Sequence, residues 1–155
     1  MSEISFPIIS IPVYYVLSIV PHAVALNLSA KGNPKGRHDN RNPKSTTMQE
    51  TLRQRLSARD FAAFERAESC HRNSLENMPL YVAAVLAGVL AEKKAGAGSV
   101  GLSNFCVMWH LIRLLYTANY IMTETIRWSY LRSLLYFAGT GYAFATLYKS
   151  ARVLA

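Results

Sequence analysis

Four polar residues share one face of a helix where an apolar stretch begins. They are Ser69, Arg72, Asn73 and Glu76, at positions i, i+3, i+4 and i+7. Residues at this spacing lie on one helical stripe, and ionisable groups beside a membrane usually mark a functional site. An Arg72–Glu76 ion pair that only joins helices is the alternative, although in water such a pair contributes only about 0.3 kcal/mol.

A second stripe follows in the stretch "RLLYTANY", where Arg113, Tyr116 and Tyr120 stand at i, i+3 and i+7. The neighbours of Arg113 are aliphatic, which makes a charge there hard to explain by packing alone. The two tyrosines have an ordinary alternative, because aromatic side chains form belts at membrane interfaces. We therefore interpret Arg113 as the stronger functional candidate.

A third group opens the last apolar stretch, "IRWSYLRSLLY". Arg132 lies inside it, with Ser133 and Tyr136 at the next position and one turn on. Arg127 stands at its edge, where a long cationic side chain can extend its charged end to water. Arg132 is the deeper of the two arginines and the better candidate for a buried role.

These residues together would suit a small ligand with two carboxylates and one ammonium group. Arginine offers forked donors that match carboxylates, and Glu76 supplies a counter-charge for an ammonium. Glutathione has these groups and also a thiol. A cation beside a thiol lowers its pKa from about 8.5 and enriches the nucleophilic thiolate.

The elements that must position these side chains are predicted to be membrane helices. Hydrophobic residues make up 51% of the chain and charged residues 17%, below the ~25% typical of soluble domains. The predicted helices cover roughly 5–30, 67–91, 99–122 and 129–150. A soluble bundle would need a polar face along each helix, and a cleaved signal peptide would begin with positive charge rather than Glu3. We predict one domain, residues 1–155, that folds as an all-α integral membrane four-helix bundle.

The placement of charge predicts an orientation. Residues 31–60 contain eight Lys and Arg against three acids, and loops rich in Lys and Arg stay in the cytosol. The 31–66 segment and "TETIRW" are therefore predicted to be cytosolic, and "EKKAGAGS" lumenal. Nucleic-acid binding is the alternative for a basic segment; we expect no nucleic-acid partner.

The segment before the second span regains helical spacing in "MQETLRQRLSARDFAAFERAE". Its apolar residues are Leu52, Leu56, Phe61 and Phe64. Such a pattern is typical of an amphipathic helix at a membrane surface, and we expect a lead-in helix there.

Three motifs resemble a known family, the membrane-associated proteins in eicosanoid and glutathione metabolism, or MAPEG family. "ERAESCHRNSLENMPLY" resembles its signature E-R-x-x-x-x-H-x-N-x-x-E-N-x-P, and "RLLYTANY" and "LRSLLY" resemble its third- and fourth-helix elements. The resemblance covers roughly residues 5–150. It implies a homotrimer of four-helix subunits in the endoplasmic reticulum or a related membrane, with glutathione as cosubstrate bound between subunits near the cytosolic face.

The resemblance also implies residue roles. The residues that would bind glutathione or line its site are Ser69, Arg72, Asn73, Glu76, Arg113, Tyr116, Tyr120 and Tyr136. Arg132, or else Arg127, would stabilise the thiolate, with Ser133 beside it. Ser69 departs from members that have arginine there, and the segment between Tyr120 and Arg132 is longer than in the animal synthases. No metal site is expected.

The expected function is that of a glutathione-dependent membrane enzyme, a transferase, peroxidase or isomerase, acting on a lipophilic electrophile. One alternative is a regulatory membrane protein of the same family without catalysis. Another is an isomerase or cyclase of the same fold that does not use glutathione.

Overall fold

The computed structural model of the protein describes residues 5–155, and these are helical with short connections. Glu3 and Ile4 lie outside the described residues. The helices are α1 (Phe6–Lys31), α2 (Thr46–Arg55), α3 (Ala58–Glu76), α4 (Met78–Ala95), α5 (Leu102–Met122) and α6 (Ile126–Leu154). Helix α1 packs on α3, and α6 packs on both α4 and α5.

Helices α3 and α4 form one rod, Ala58–Ala95. The rod begins where the Ser57 side chain accepts the backbone N–H of Asp60 at 3.1 Å, which satisfies one of the free donors of the first turn. The second predicted span was expected to begin at residue 67. The helix begins earlier because the lead-in continues directly into it.

A single turn at Asn77 separates the two halves of the rod. Pro79 stands in the first turn of α4, where its missing N–H breaks no helical hydrogen bond within α4. The Asn77 side chain donates to the Asn73 carbonyl at 2.8 Å. The rod therefore passes from its charged half to its apolar half with little loss of hydrogen bonding.

The apolar face of the lead-in lies inside the protein. Leu52, Leu56 and Phe64 are buried with Ala25 of α1, and Phe61 packs against them. The expectation that this face lies on the membrane surface is wrong, because α1 extends far enough to cover it.

The centre of the bundle is aromatic. The rings of Tyr81 and Trp109 stack with centroids 5.0 Å apart, and Tyr14 meets both rings edge-on. Helices α4 and α5 approach closely at Gly88, where an added Cβ would lie 2.6 Å from the Leu102 side chain. The core thus holds α1, α4 and α5 in fixed register.

The two ends of the bundle are joined by different contacts. At one end, Arg59 and Arg66 of α3 each approach Glu124 at 3.5 Å. At the other end, Lys94 donates to the carbonyl of Leu154 at 3.1 Å. The turn between α5 and α6 therefore lies at the same end as the beginning of α3, as the predicted topology requires.

Two helical stretches of the described residues are long and apolar enough to cross a membrane, α1 and the α3–α4 rod. Helices α5 and α6 also expose many large apolar side chains, including Leu114, Leu115, Leu134, Phe137, Phe144 and Tyr148. Large outward apolar surfaces mark contact with lipid or with another protein. That four spans cross the membrane stays a prediction.

Candidate functional site

A buried arginine joins three helices at the level where α3 ends. Arg113 is only 3% exposed. Its Nε donates to the Tyr14 hydroxyl at 2.9 Å, and its Nη1 and Nη2 lie 3.4 Å from the side-chain and backbone oxygens of Asn73. The Tyr14 hydroxyl donates onward to the Ser74 carbonyl at 2.9 Å. We call these four residues the inner cluster.

Aromatic rings complete the surroundings of the Arg113 guanidinium. Its central carbon lies 5.7 Å from the ring centroid of Tyr14, 5.4 Å from that of Trp109 and 5.0 Å from that of Tyr116. Within residues 5–155 no carboxylate forms an ion pair with it. The positive charge is thus held by neutral oxygens and by cation–π contacts.

The tyrosines of the second stripe extend this cluster toward α6. Tyr116 is buried, and its ring meets Tyr120 edge-on at 5.5 Å. The guanidinium of Arg132 lies 4.1 Å above the Tyr120 ring. The structure therefore brings Arg113, Tyr116, Tyr120 and Arg132 into one continuous row.

The other α6 candidates lie on the outside of the subunit. Arg127 and Ser133 are exposed, and Tyr136 is partly buried with its ring edge-on to Phe137 at 5.5 Å. Arg132 is the α6 candidate whose guanidinium stacks on a ring of the second stripe.

The first stripe divides between two places. Asn73 turns inward to Arg113, whereas Ser69, Arg72 and Glu76 line a cleft of about 620 Å³ between α1, α3 and the loop 32–45. We call this the outer cleft. Within one subunit the stripe therefore does not line a single pocket, and the adjacent residues Arg72 and Asn73 point about 100° apart on the helix.

Two charged residues of the outer cleft, Arg72 and Glu76, are not paired with each other. Arg72 and Glu76 are both exposed, and within residues 5–155 neither forms an ion pair. In this subunit Arg72 and Glu76 therefore do not form an ion pair that joins helices. They stand free at the cleft wall with opposite charges one helical turn apart.

Two histidines in the outer cleft were not predicted. His22 Nδ1 lies 2.7 Å from Glu68 Oε1, and the His22 ring stacks on His71 with centroids 4.9 Å apart. His71 donates from Nδ1 to the Ser18 carbonyl at 2.8 Å. A histidine directly after Pro21 in an otherwise apolar span was the signal that could have identified His22.

A larger cleft of about 780 Å³ lies between the loop 32–45 and α2, and none of the predicted site residues lines it. Arg41 donates to Asp39 from its backbone N–H and its guanidinium, at 2.7–3.1 Å. These bonds hold the pKa of the Asp39 carboxyl well below its usual range. The one carboxylate that lines this basic cleft is therefore neutralised locally.

Comparison with protein families gives one match. The model of the MAPEG family matches residues 8–152, nearly the whole chain. The chain therefore belongs to the MAPEG family, and its fold is an all-α membrane bundle. Comparisons with curated proteins and with solved structures found no match. The family resemblance inferred from the motifs is confirmed, and membership supports a glutathione-related transferase or isomerase type of function in general.

Proposed function

We propose that the protein is a glutathione-dependent membrane enzyme that transfers, reduces or isomerises a lipophilic electrophile. The observation that carries the proposal is the pair of free, opposite charges in the outer cleft. Arg72 offers forked donors to a carboxylate, and Glu76 offers a counter-charge to an ammonium group. A zwitterionic peptide such as glutathione carries both partners.

The outer cleft binds the backbone of glutathione in this proposal. Arg72 and Glu76 contact its charged ends. Ser69 supplies a hydroxyl where some members of the family have an arginine. Asn73 contributes indirectly, through its contacts with Arg113, and Tyr136 would reach the same binding region from α6 of a neighbouring subunit.

The row of Tyr116, Tyr120 and Arg132 forms the second wall of the proposed glutathione site. Arg132 stabilises the thiolate, with Ser133 beside it, since a nearby cation favours the charged form of a thiol. Arg127 is the competing choice for this role. In the reaction the thiolate sulfur forms a bond to the electrophilic carbon, and the leaving group departs with the electron pair of the bond that breaks.

A homotrimer would complete the site. Arg132 does not line the outer cleft of its own subunit, whereas Arg72, Glu76 and Ser133 all face outward. We propose that glutathione lies between neighbouring subunits, so that Arg132 of one faces the cleft of the next. Native mass spectrometry should find three chains. A monomer with full glutathione affinity would contradict this arrangement.

The protein is proposed to be a multi-pass protein of the endoplasmic reticulum or another internal membrane, with the 31–66 segment in the cytosol. Protease added outside sealed microsomes should cut that segment. If the segment is protected and "EKKAGAGS" is cut, the orientation is reversed.

Glutathione binding by the purified protein tests the proposal directly. Calorimetry in detergent should show saturable binding of glutathione and also of an analogue in which a methyl group replaces the thiol, since Arg72 and Glu76 contact only the charged ends. Conjugation of glutathione to a lipophilic aryl halide should then proceed with the first ligand and not with the second. A protein that binds neither ligand is not a glutathione enzyme.

A further inference from the structure

The stacked histidines of the outer cleft have the geometry of a proton-accepting site. Glu68 is an acceptor when ionised, so His22 carries its hydrogen on Nδ1 and donates it to the carboxylate at 2.7 Å. The His22 Nε2 is then left with a free lone pair. A carboxylate that fixes the tautomer of a histidine in this way leaves the other ring nitrogen as a base.

The local structure of α1 holds this site in place. Pro21 has no N–H, so the carbonyl of Leu17, one turn earlier in α1, loses its helical donor, and the ring loosens the helix at this turn. The Ser18 carbonyl in that turn accepts the Nδ1–H of His71 at 2.8 Å. The His71 ring is thereby fixed against the face of His22 at 4.9 Å, and both rings line the outer cleft.

The side chains of His22 and Glu68 remain partly open, with exposed fractions of 31% and 22%. A pair that served only to join α1 to α3 would not need an open base. The other titratable or charged groups that line the same cleft are His38 and Lys44 from the loop, and Glu65, His71, Arg72 and Glu76 from α3. The proposed ligand-binding charges and the His22 ring therefore line one cleft.

We propose that His22, oriented by Glu68, is the general base that removes the thiol proton of the bound cosubstrate. The S–H bond breaks, its electron pair remains on sulfur, and the proton moves to His22 Nε2. After the sulfur attacks the electrophile, the imidazolium returns its proton to water or to the departing group. The inference rests on the proposed function: Arg132 stabilises the thiolate, and His22 receives the proton that Arg132 cannot accept.

The test is the turnover of His22→Ala against pH at saturating glutathione, with and without added imidazole. General bases contribute about 100-fold or more to rate, so turnover at pH 7 should fall about 100-fold. The loss should become smaller toward pH 9, where more free thiol ionises without help. Imidazole can enter the space left by the missing ring. It should raise the turnover of His22→Ala at least about tenfold over the turnover without imidazole.

Matched variants separate chemistry from structure. His110 lies on α5, hydrogen-bonds to the Cys106 carbonyl at 2.7 Å and does not line the outer cleft. His110→Ala should keep its turnover and show no response to imidazole. Glu68→Gln should shift the pH profile and lower turnover less than His22→Ala does, since Glu68 is a positioning residue. It also provides the test if His22→Ala does not fold.

Two failures can be told apart. If wild-type protein binds no glutathione, the proposed function fails. Suppose instead that the wild-type protein binds and conjugates glutathione. If His22→Ala then keeps the wild-type pH profile, His22 is not the base. The same conclusion follows if His22→Ala loses activity equally at every pH and does not respond to imidazole. An unchanged pH profile in Glu68→Gln would likewise overturn the role of the pair.

Discussion

The inner cluster and the outer cleft are built from neighbouring residues of the same helix, yet they end in opposite states. Asn73 faces inward and contacts a guanidinium whose three nitrogens all have acceptors. Arg72, one position earlier, faces outward and has no ion-pair partner within residues 5–155. The sequence motif alone predicts that both Arg72 and Asn73 bind the ligand.

The difference shows that a polar residue in a membrane bundle can be committed, with its polar atoms bonded inside the protein, or available, with those atoms free to contact a ligand. Arg113 is committed, because each of its three nitrogens already has an acceptor in Tyr14 or Asn73. Arg72 and Glu76 are left available. We therefore expect the inner cluster to control stability and the outer cleft to control affinity.

The largest effect on stability should come from Arg113→Met. This change removes the donor to Tyr14 and both contacts to Asn73, and hydrogen bonds to charged groups contribute about 1.5–3 kcal/mol each. We expect the free energy of unfolding to fall by about 2–4 kcal/mol, measured as a lower melting temperature in detergent. Arg127→Met, which removes an exposed arginine, is the control. Equal melting temperatures for the two variants would mean that the inner cluster has no special structural role.

The next effect concerns Arg132, which contacts Tyr120 but lies outside both regions in the single subunit. Arg132→Leu should lower turnover by about tenfold or more and raise the apparent pH optimum, because the thiol would return toward its free pKa. The measurement is turnover against pH with saturating glutathione. If Arg127→Leu loses activity and Arg132→Leu does not, the thiolate role belongs to Arg127.

Smaller effects are expected in the outer cleft. Arg72→Gln and Glu76→Gln should each raise the Michaelis constant for glutathione by about tenfold, which corresponds to ~1.4 kcal/mol. Turnover should change little, because these contacts are made equally in the ground state and the transition state. Melting temperatures close to wild type are part of the prediction. A large loss of stability in either variant would remove the distinction between the two regions.

The smallest effect should come from the loop beside the outer cleft. Asp39→Asn breaks an ion pair with Arg41 that is exposed to water, and exposed pairs contribute little. At pH 7 we expect no measurable change in melting temperature. Since the folded-state pKa of Asp39 is lowered, any contribution is present at neutral pH and disappears only as the pH falls through that lowered value. A clear loss of stability at pH 7 would show that the Asp39–Arg41 pair holds the loop in place.

Much of the bundle could be predicted from the sequence because long runs without charge have few alternatives to membrane helices. The burial of the lead-in against α1 was missed for a physical reason. Leu52 and Phe64 form an apolar stripe that fits a membrane surface and a neighbouring helix equally well, and only the length of α1 decides between them. Helical spacing placed the polar residues of α3, Ser69, Arg72, Asn73 and Glu76, in one predicted group.

The division of that group was beyond the sequence. Whether Asn73 faces a ligand or Arg113 depends on how α3 is rotated against α5, which periodicity does not report. Tyr14 and His22 were missed because α1 appeared uniformly apolar. Their importance comes from partners on other helices, which a single helix pattern does not reveal.

The length of α4 sets how deep in the membrane the candidate site lies. Helix α4 has 18 residues, which at 1.5 Å each gives about 27 Å, close to the ~30 Å hydrocarbon thickness of a bilayer. If α4 crosses that layer, Asn77 stands at its boundary and the charged half of the rod rises through the headgroups into water. Arg72 and Glu76 then stand where two solvents meet. A water-soluble thiol and an oil-soluble electrophile can each arrive from the phase that dissolves it.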